Sequence, residues 1–252
     1  MIRLNEGAYP YMEEVNEGIL RNVTSSRFPK GSRFLDVGCG QAALGGEIQK
    51  LGHVVWGIEK SELAAVRAKT RIDRCIQTDL LDTAGIKTAL GDARFDAVIL
   101  SDVLEHLYDP LSSLKFYLSY LKPGGRALIS VPNALNWECR IRFLFGQFEY
   151  QDTGVMDRTH VRFFTFRTLE NLVTAAGCTV EKRDFTPYIV RALLPRIKNR
   201  VKSKKENTAD ISNLQLYRVY MQYFYPIEHF LASAWKPLFA FRIILVVRKN
   251  ET

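Results

Sequence analysis

Residues 34–40 read Phe-Leu-Asp-Val-Gly-Cys-Gly, and a lone acid, Glu59, closes the next apolar run. An apolar strand that ends at Asp36 and runs into Gly38 and Gly40 leaves bare backbone where a nucleotide-like ligand can come close. A carboxylate about 20 residues further on, at the tip of the following strand, is placed to accept both hydroxyls of a ribose. Gly38 to Ala43 also fits the loose pattern G-x-G-x-x-A, so an NAD-type ligand is the first alternative. Three features weigh against it. Asp36 would repel a pyrophosphate but suits a ligand carrying an ammonium group. Gln77-Thr78-Asp79-Leu80 ends a third apolar run with an acid able to accept from an adenine amino group. The run Phe95 to His106 ends in Ser101, Asp102, Glu105 and His106, at the carboxyl edge where open parallel sheets bind ligands.

The elements that must hold these residues alternate. Strand-length runs rich in Val, Ile, Leu or Phe lie at 32–38, 53–58, 73–78, 95–101 and 126–132. Helix candidates fall between them at 42–51, 61–71, 83–89 and 110–121, with an N-terminal helix at about 10–24 packing across the sheet. Strands alternating with helices imply right-handed crossovers and a parallel sheet buried on both faces. Pro123-Gly124-Gly125 breaks the fourth helix and turns it into the strand near Arg126. Residues 134–165 hold aromatics and charges without strand periodicity. A helix at 167–176 ends at Gly177, a strand follows at 178–185, and 239–248 returns to the sheet. That makes 187–236 an insertion before the last strand within one domain spanning 1–252.

Taken together, LDVGCG (35–40), Glu59, TDL (78–80), FDAVILSDVLEHL (95–107) and LKPGGRALISVPN (121–133) resemble class I S-adenosylmethionine-dependent methyltransferases. Within that family the subgroup related to ubiquinone-biosynthesis O-methyltransferases is most similar, over roughly residues 30–185. The resemblance implies a Rossmann-like, doubly wound, mostly parallel seven-stranded α/β sheet with helices on both faces. Residues 30–133 would form its cofactor-binding core. It places Asp36, Gly38, Cys39 and Gly40 against the methionyl part and Glu59, with Lys60, at the ribose. Asp79 and Leu80 would frame the adenine, and Ser101, Asp102 and Val103 would line the methionine end. Ala42 stands where many members have a third glycine, a small loss that leaves the assignment intact.

Methyl transfer from a sulfonium needs in-line approach of a nucleophile, exclusion of water and, for an unactivated hydroxyl, a base. The stretch Asp157-Arg158-Thr159-His160-Val161-Arg162-Phe163-Phe164-Thr165 resembles one found in methyltransferases of bacterial surface-polysaccharide and glycan biosynthesis. It makes 134–166 the expected substrate lid. His160, the one histidine of that stretch, is the expected base, with His106 as a second catalytic candidate and Asp157, Arg158 and Arg162 on the substrate. The competing reading is that Asp157, Arg158 and His160 merely pin the lid. The four histidines, His53, His106, His160 and His229, lie far apart in sequence, so no metal-ligand cluster is expected.

Charge is confined. Residues 1–185 carry 23 Lys+Arg against 23 acids, whereas 186–252 carry 12 against 4 and so hold the whole net charge of +8. A neutral body with a basic end points to an acidic partner or surface and not to a nucleic-acid coat. Within 187–205, Ile189, Leu193, Ile197 and Val201 recur every fourth residue among basic side chains. Such a helix is read as a lid over the acceptor, a dimer contact or a peripheral patch on an anionic inner membrane. Four scattered cysteines and an acidic N-terminus without an apolar core predict a cytoplasmic setting. The reading is O-methylation of a small-molecule or lipid-linked glycan acceptor. A quinone-like acceptor, or a cofactor-binding module without catalysis, are its alternatives.

Overall fold

The computed structural model describes residues 15–24, 28–187 and 220–250. Its centre is a seven-stranded sheet in the order β3-β2-β1-β4-β5-β7-β6. The strands are β1 Arg33–Val37, β2 Val54–Glu59, β3 Arg74–Gln77, β4 Phe95–Ser101, β5 Leu121–Pro132, β6 Cys178–Pro187 and β7 Ala240–Lys249. The first five are parallel; β7 runs antiparallel between β5 and β6. The doubly wound, mostly parallel sheet expected from the alternating runs is what forms.

Period-two geometry explains why these strands read as unbroken apolar runs. Leu35, Val37, Val98 and Leu100 pack into one core, while their neighbours Phe34, Ala97 and Ile99 pack into the other. Each face is closed by helices. On the first lie α4 Thr83–Leu90, α5 Pro110–Leu118 and α7 Phe166–Ala175, through Ile86, Leu114, Tyr117, Leu169 and Val173. On the second lie α1 Glu17–Thr24, α2 Ala43–Lys50 and α3 Glu62–Ala68, through Ile19, Val23, Ile48, Ala65 and Ala68. Asp82, Asp109 and Thr165 cap α4, α5 and α7 by accepting from Gly85, Ser112 and Thr168 N–H groups. Gly177, at φ +82°, follows α7 as expected.

Two boundaries differ from the sequence reading. The helix α5 stops at Leu118, and β5 begins at Leu121, so Pro123-Gly124-Gly125 lies inside the strand. There it spans the register shift, where Phe95 pairs with Leu121 and Ala97 with Arg126, with Gly124 at φ +73°, so continuous pairing begins at Arg126 as expected. Within 134–165 a helix, α6 Trp137–Leu144, starts on the side chain of Asn136, which accepts from Cys139 N–H. Before β7 come a π-helical turn Tyr220–Phe224, α8 Tyr225–Ser233 and α9 Lys236–Phe239. The basic 187–205 helix lies, beyond Pro187, outside the described residues. Among the described residues no helix is long and apolar enough to cross a membrane.

Helix α1 is tied to the sheet edge through charge. Asp184 on β6, 6% exposed, accepts from Arg21 at 2.8 Å and from Asn22 Nδ2 at 2.9 Å, with His229 Nε2 at 3.5 Å. Burial alone would raise the Asp184 pKa, but the His229 and Arg21 contacts outweigh it and hold the carboxyl well below the usual range. Its contribution to stability is therefore present above the ordinary carboxylate pKa and lost on acidification. Asp184→Asn is expected to destabilise the fold by about 2 kcal/mol, below the ~3–5 of a fully enclosed pair because Arg21 stays partly in water. Urea midpoints at neutral and acid pH check this: the difference between variant and parent shrinks as pH falls.

Candidate active site

A cavity of about 1560 Å³ opens at the carboxyl ends of β1, β2, β4 and β5. Its floor is the β1–α2 loop. Gly38 and Gly40 take φ +70° and +54°, and a Cβ on Gly38 would stand 2.9 Å from Val103. Ala42 also sits in the left-handed region, at φ +57°, fully buried at the start of α2. There alanine costs ~1 kcal/mol against glycine, so the departure from the glycine pattern is a strained one. Cys39 fills the space left by Gly57, where a Cβ would meet its Sγ at 2.5 Å.

Asp36 faces the cavity and is 2% exposed. Burial first, then the charge of Glu59, push its pKa up to about 7. Glu59, at the end of β2, accepts from Gly40 N–H at 2.9 Å and Ser61 N–H at 2.7 Å, which ties the first loop to the second. Leu80 lines the cavity with its carbonyl held by Tyr117 at 2.7 Å. Asp79 accepts from Leu81 N–H at 2.9 Å and pairs with Lys60 at 3.0 Å; those bonds, the Leu81 one foremost, lower its pKa.

At the end of β4, Asp102 adopts φ +55°. It is fixed by Ser130 Oγ at 2.9 Å and by Arg242 Nε of β7 at 2.6 Å. Asn16, ahead of α1, donates to Ser101 Oγ at 3.0 Å and Ser130 Oγ at 2.9 Å. Asn16, Ser130 and Arg242 are site-supporting residues that the sequence reading missed. Asn16 and Arg242 come from elements distant in sequence and carry no local motif, whereas Ser130 sits within the 121–133 stretch without having been singled out.

A further wall comes from the 3₁₀ turn Leu104–His106 and the 151–160 loop. Backbone N–H groups of Val161 and Arg162 donate to the Glu105 carbonyl at 2.9 and 3.0 Å, clamping loop to turn. His160 Nδ1 lies 2.9 Å from the Val155 carbonyl and His106 Nδ1 3.2 Å from that of Thr159. A carbonyl only accepts, so each Nδ1 donates, and in a neutral ring Nε2 is then the acceptor. The two rings meet edge to face at 4.8 Å. Burial and the neighbouring His160 lower the His106 pKa. Asp157, also in the wall, spends Oδ1 on the Thr159 N–H and hydroxyl.

Of the residues expected at the site, Asp36, Gly38, Cys39, Gly40, Lys60, Leu80, Ser101, Asp102, Val103, His106, Asp157 and His160 line one cavity. Glu59 and Asp79 buttress it through the bonds just described. Arg158 and Arg162 are not brought in: the first pairs with Asp152 at 3.1 Å and the second donates to the Tyr108 carbonyl at 3.2 Å, both exposed. The expectation that the histidines stand apart is corrected. Folding brings His106, His160 and Glu105 together, with one potential ligand atom from each within 4.8 Å of the others.

The methyltransferase domain model matches residues 11–183, more than half of the chain. A ubiquinone biosynthesis O-methyltransferase of Xanthomonas axonopodis is 32% identical over 130 residues, covering 51% of this chain and 54% of that protein. The chain thus spans about half the length of the curated relatives it matches. Among solved structures, an S-adenosylmethionine-dependent methyltransferase from Archaeoglobus fulgidus superposes with TM-score 0.57 at 18% identity, covering 91% of this chain and 90% of that one. Magnesium protoporphyrin IX methyltransferase from Synechocystis with bound SAH gives 0.56 at 13% identity, covering 92% and 80%. The fold is that of S-adenosylmethionine-dependent methyltransferases, and the chain belongs to the methyltransferase domain family.

Proposed function

We propose that the protein transfers the methyl group of S-adenosylmethionine to a hydroxyl of a glycan-type acceptor. The observation that carries it is one cavity holding an acid-lined cofactor floor and two imidazoles, each with Nδ1 on a backbone carbonyl. Asp36 faces the ligand ammonium, the Gly38–Gly40 backbone lies under the methionyl chain, and Glu59 takes the ribose hydroxyls. Asp79 and Leu80 border the adenine. Acids on the cofactor side suit a ligand bearing a sulfonium and an ammonium and repel a dinucleotide.

In the transfer the acceptor oxygen attacks the methyl carbon as the C–S bond breaks. The bonding pair returns to sulfur, leaving S-adenosylhomocysteine, and the hydroxyl proton passes to His160 Nε2. Residues 134–166 serve as the lid: Arg142, Gln151 and Asp152 offer polar groups along the acceptor half. Those groups support a hydroxyl-rich acceptor. The name of the Xanthomonas relative favours a quinone-like phenol as the second reading.

Calorimetry with S-adenosylhomocysteine and NAD tests the cofactor. Stoichiometric binding of the first alone is expected, with Glu59→Ala weakening it at least about tenfold, the value of one lost charge-assisted hydrogen bond. Binding of NAD instead, or of neither, ends the reading. Release of S-adenosylhomocysteine on incubation with fractionated glycans, against quinol and phenol fractions, decides the acceptor.

A further inference from the structure

Among the described residues, the buried side-chain polar atoms without a hydrogen bond are Nδ1 of His53 and both carboxylate oxygens of Glu105. Glu105 is 1% exposed and borders the cavity. Three other buried acids have partners: Asp184 has Arg21, Asp157 has Thr159, and Glu59 has two backbone N–H groups. A carboxylate enclosed with nothing to accept from is strongly disfavoured as an anion unless a cation joins it.

What surrounds it is a donor set. His106 and His160 each offer Nε2, and each has its Nδ1–H anchored on a backbone carbonyl, the arrangement that orients metal-ligating imidazoles. Two neutral imidazoles and one carboxylate match catalytic Zn²⁺ sites, where three protein ligands leave a position open. Magnesium and calcium prefer all-oxygen shells, so a first-row cation is the better fit. Tetrahedral donors at Zn–N and Zn–O lengths stand ~3.4 Å apart, so the present cluster closes by about an ångström on loading.

We propose that Glu105, His106 and His160 form a binding site for one divalent first-row cation, with Zn²⁺ the best fit, whose open position faces the cavity. Resting on the methyl-transfer reading, the acceptor hydroxyl takes that position. The cation then lowers the hydroxyl pKa, the proton leaves to water, and His160 serves as ligand in place of base.

The test uses the full chain stripped with chelator, titrated with Zn²⁺ in a calorimeter and with Co²⁺ in a spectrophotometer. One equivalent should bind at micromolar Kd or tighter, with visible Co²⁺ ligand-field bands. Glu105→Gln and, independently, His106→Gln should each weaken binding at least about 100-fold and abolish the bands; His53→Gln should change neither. Absence of stoichiometric metal binding to the parent protein overturns the proposal, as does a spectrum unaltered by both cavity variants. S-adenosylhomocysteine binding is measured on the same stripped sample. If it persists without metal binding, the cation site fails alone; if it is absent, the cofactor reading fails whatever the metal does.

Discussion

Affinity for S-adenosylhomocysteine is expected to rise with pH up to about 7 and then level off, with about one proton released per ligand bound below that point. The origin is Asp36. Free, it is enclosed beside Glu59 with a pKa of about 7, so near pH 5 it is mostly neutral. The ligand ammonium binds the anion, so each pH unit below the pKa weakens affinity tenfold, roughly 100-fold at pH 5. Asp36→Asn should flatten this profile and hold it at the weak end. The same substitution should stabilise the empty protein. A folded pKa raised above the unfolded value of 3.8 means no penalty below that value and a full penalty above about 7. The variant therefore gains of order 3 kcal/mol at pH 8 and nothing near pH 4. Calorimetry in buffers of different ionisation enthalpy counts the proton, and thermal melts of both proteins at the two pH values give the stability change. A pH-independent affinity in the parent would remove Asp36 from the ammonium site.

The cofactor half of the cavity was legible in sequence because its determinants are local. Strand, Asp36, two glycines and an acid at the next strand tip fall within about one βαβ unit. Backbone geometry then fixes where they meet. The contacts that brace the cavity from distant elements were not legible in that way. Arg242 reaches Asp102 across 140 residues, through the antiparallel β5–β7 register, and Asn16 reaches Ser130 across 114. No periodicity or motif announces such a pair. His106 and His160 read as isolated because their meeting depends on the loop being clamped to the Glu105 carbonyl by two backbone N–H groups. The helix α6 escaped because Ile141, Leu144 and Phe145 at its end are exposed, which blurs the amphipathic stripe that marks a packed helix. Pro123-Gly124-Gly125 was legible as a breaker, because continuous pairing of β4 with β5 begins only at Arg126.

His160→Ala is expected to lower kcat by about 10²–10⁴ while the Kd for S-adenosylhomocysteine stays within about threefold. The imidazole belongs to the 151–160 loop and the cofactor floor to the β1–α2 loop, so the substitution is expected to leave cofactor contacts in place. Loss of turnover alone does not separate chemistry from architecture, because Nδ1–H also holds the Val155 carbonyl at 2.9 Å. His160→Asn does separate them. Its amide NH₂ can keep the bond to Val155 and so keep the loop in place, but nothing replaces Nε2. If the imidazole only pins the lid, the asparagine variant recovers most of the activity lost by alanine. If Nε2 takes the hydroxyl proton or ligates a cation, asparagine is as inactive as alanine, although its melting temperature returns toward the parent. The bond to Val155 is worth about 1 kcal/mol of stability, a few degrees in Tm, which is measurable in the same samples. The expected outcome is a divorce of the two readouts: stability restored by asparagine, kcat not.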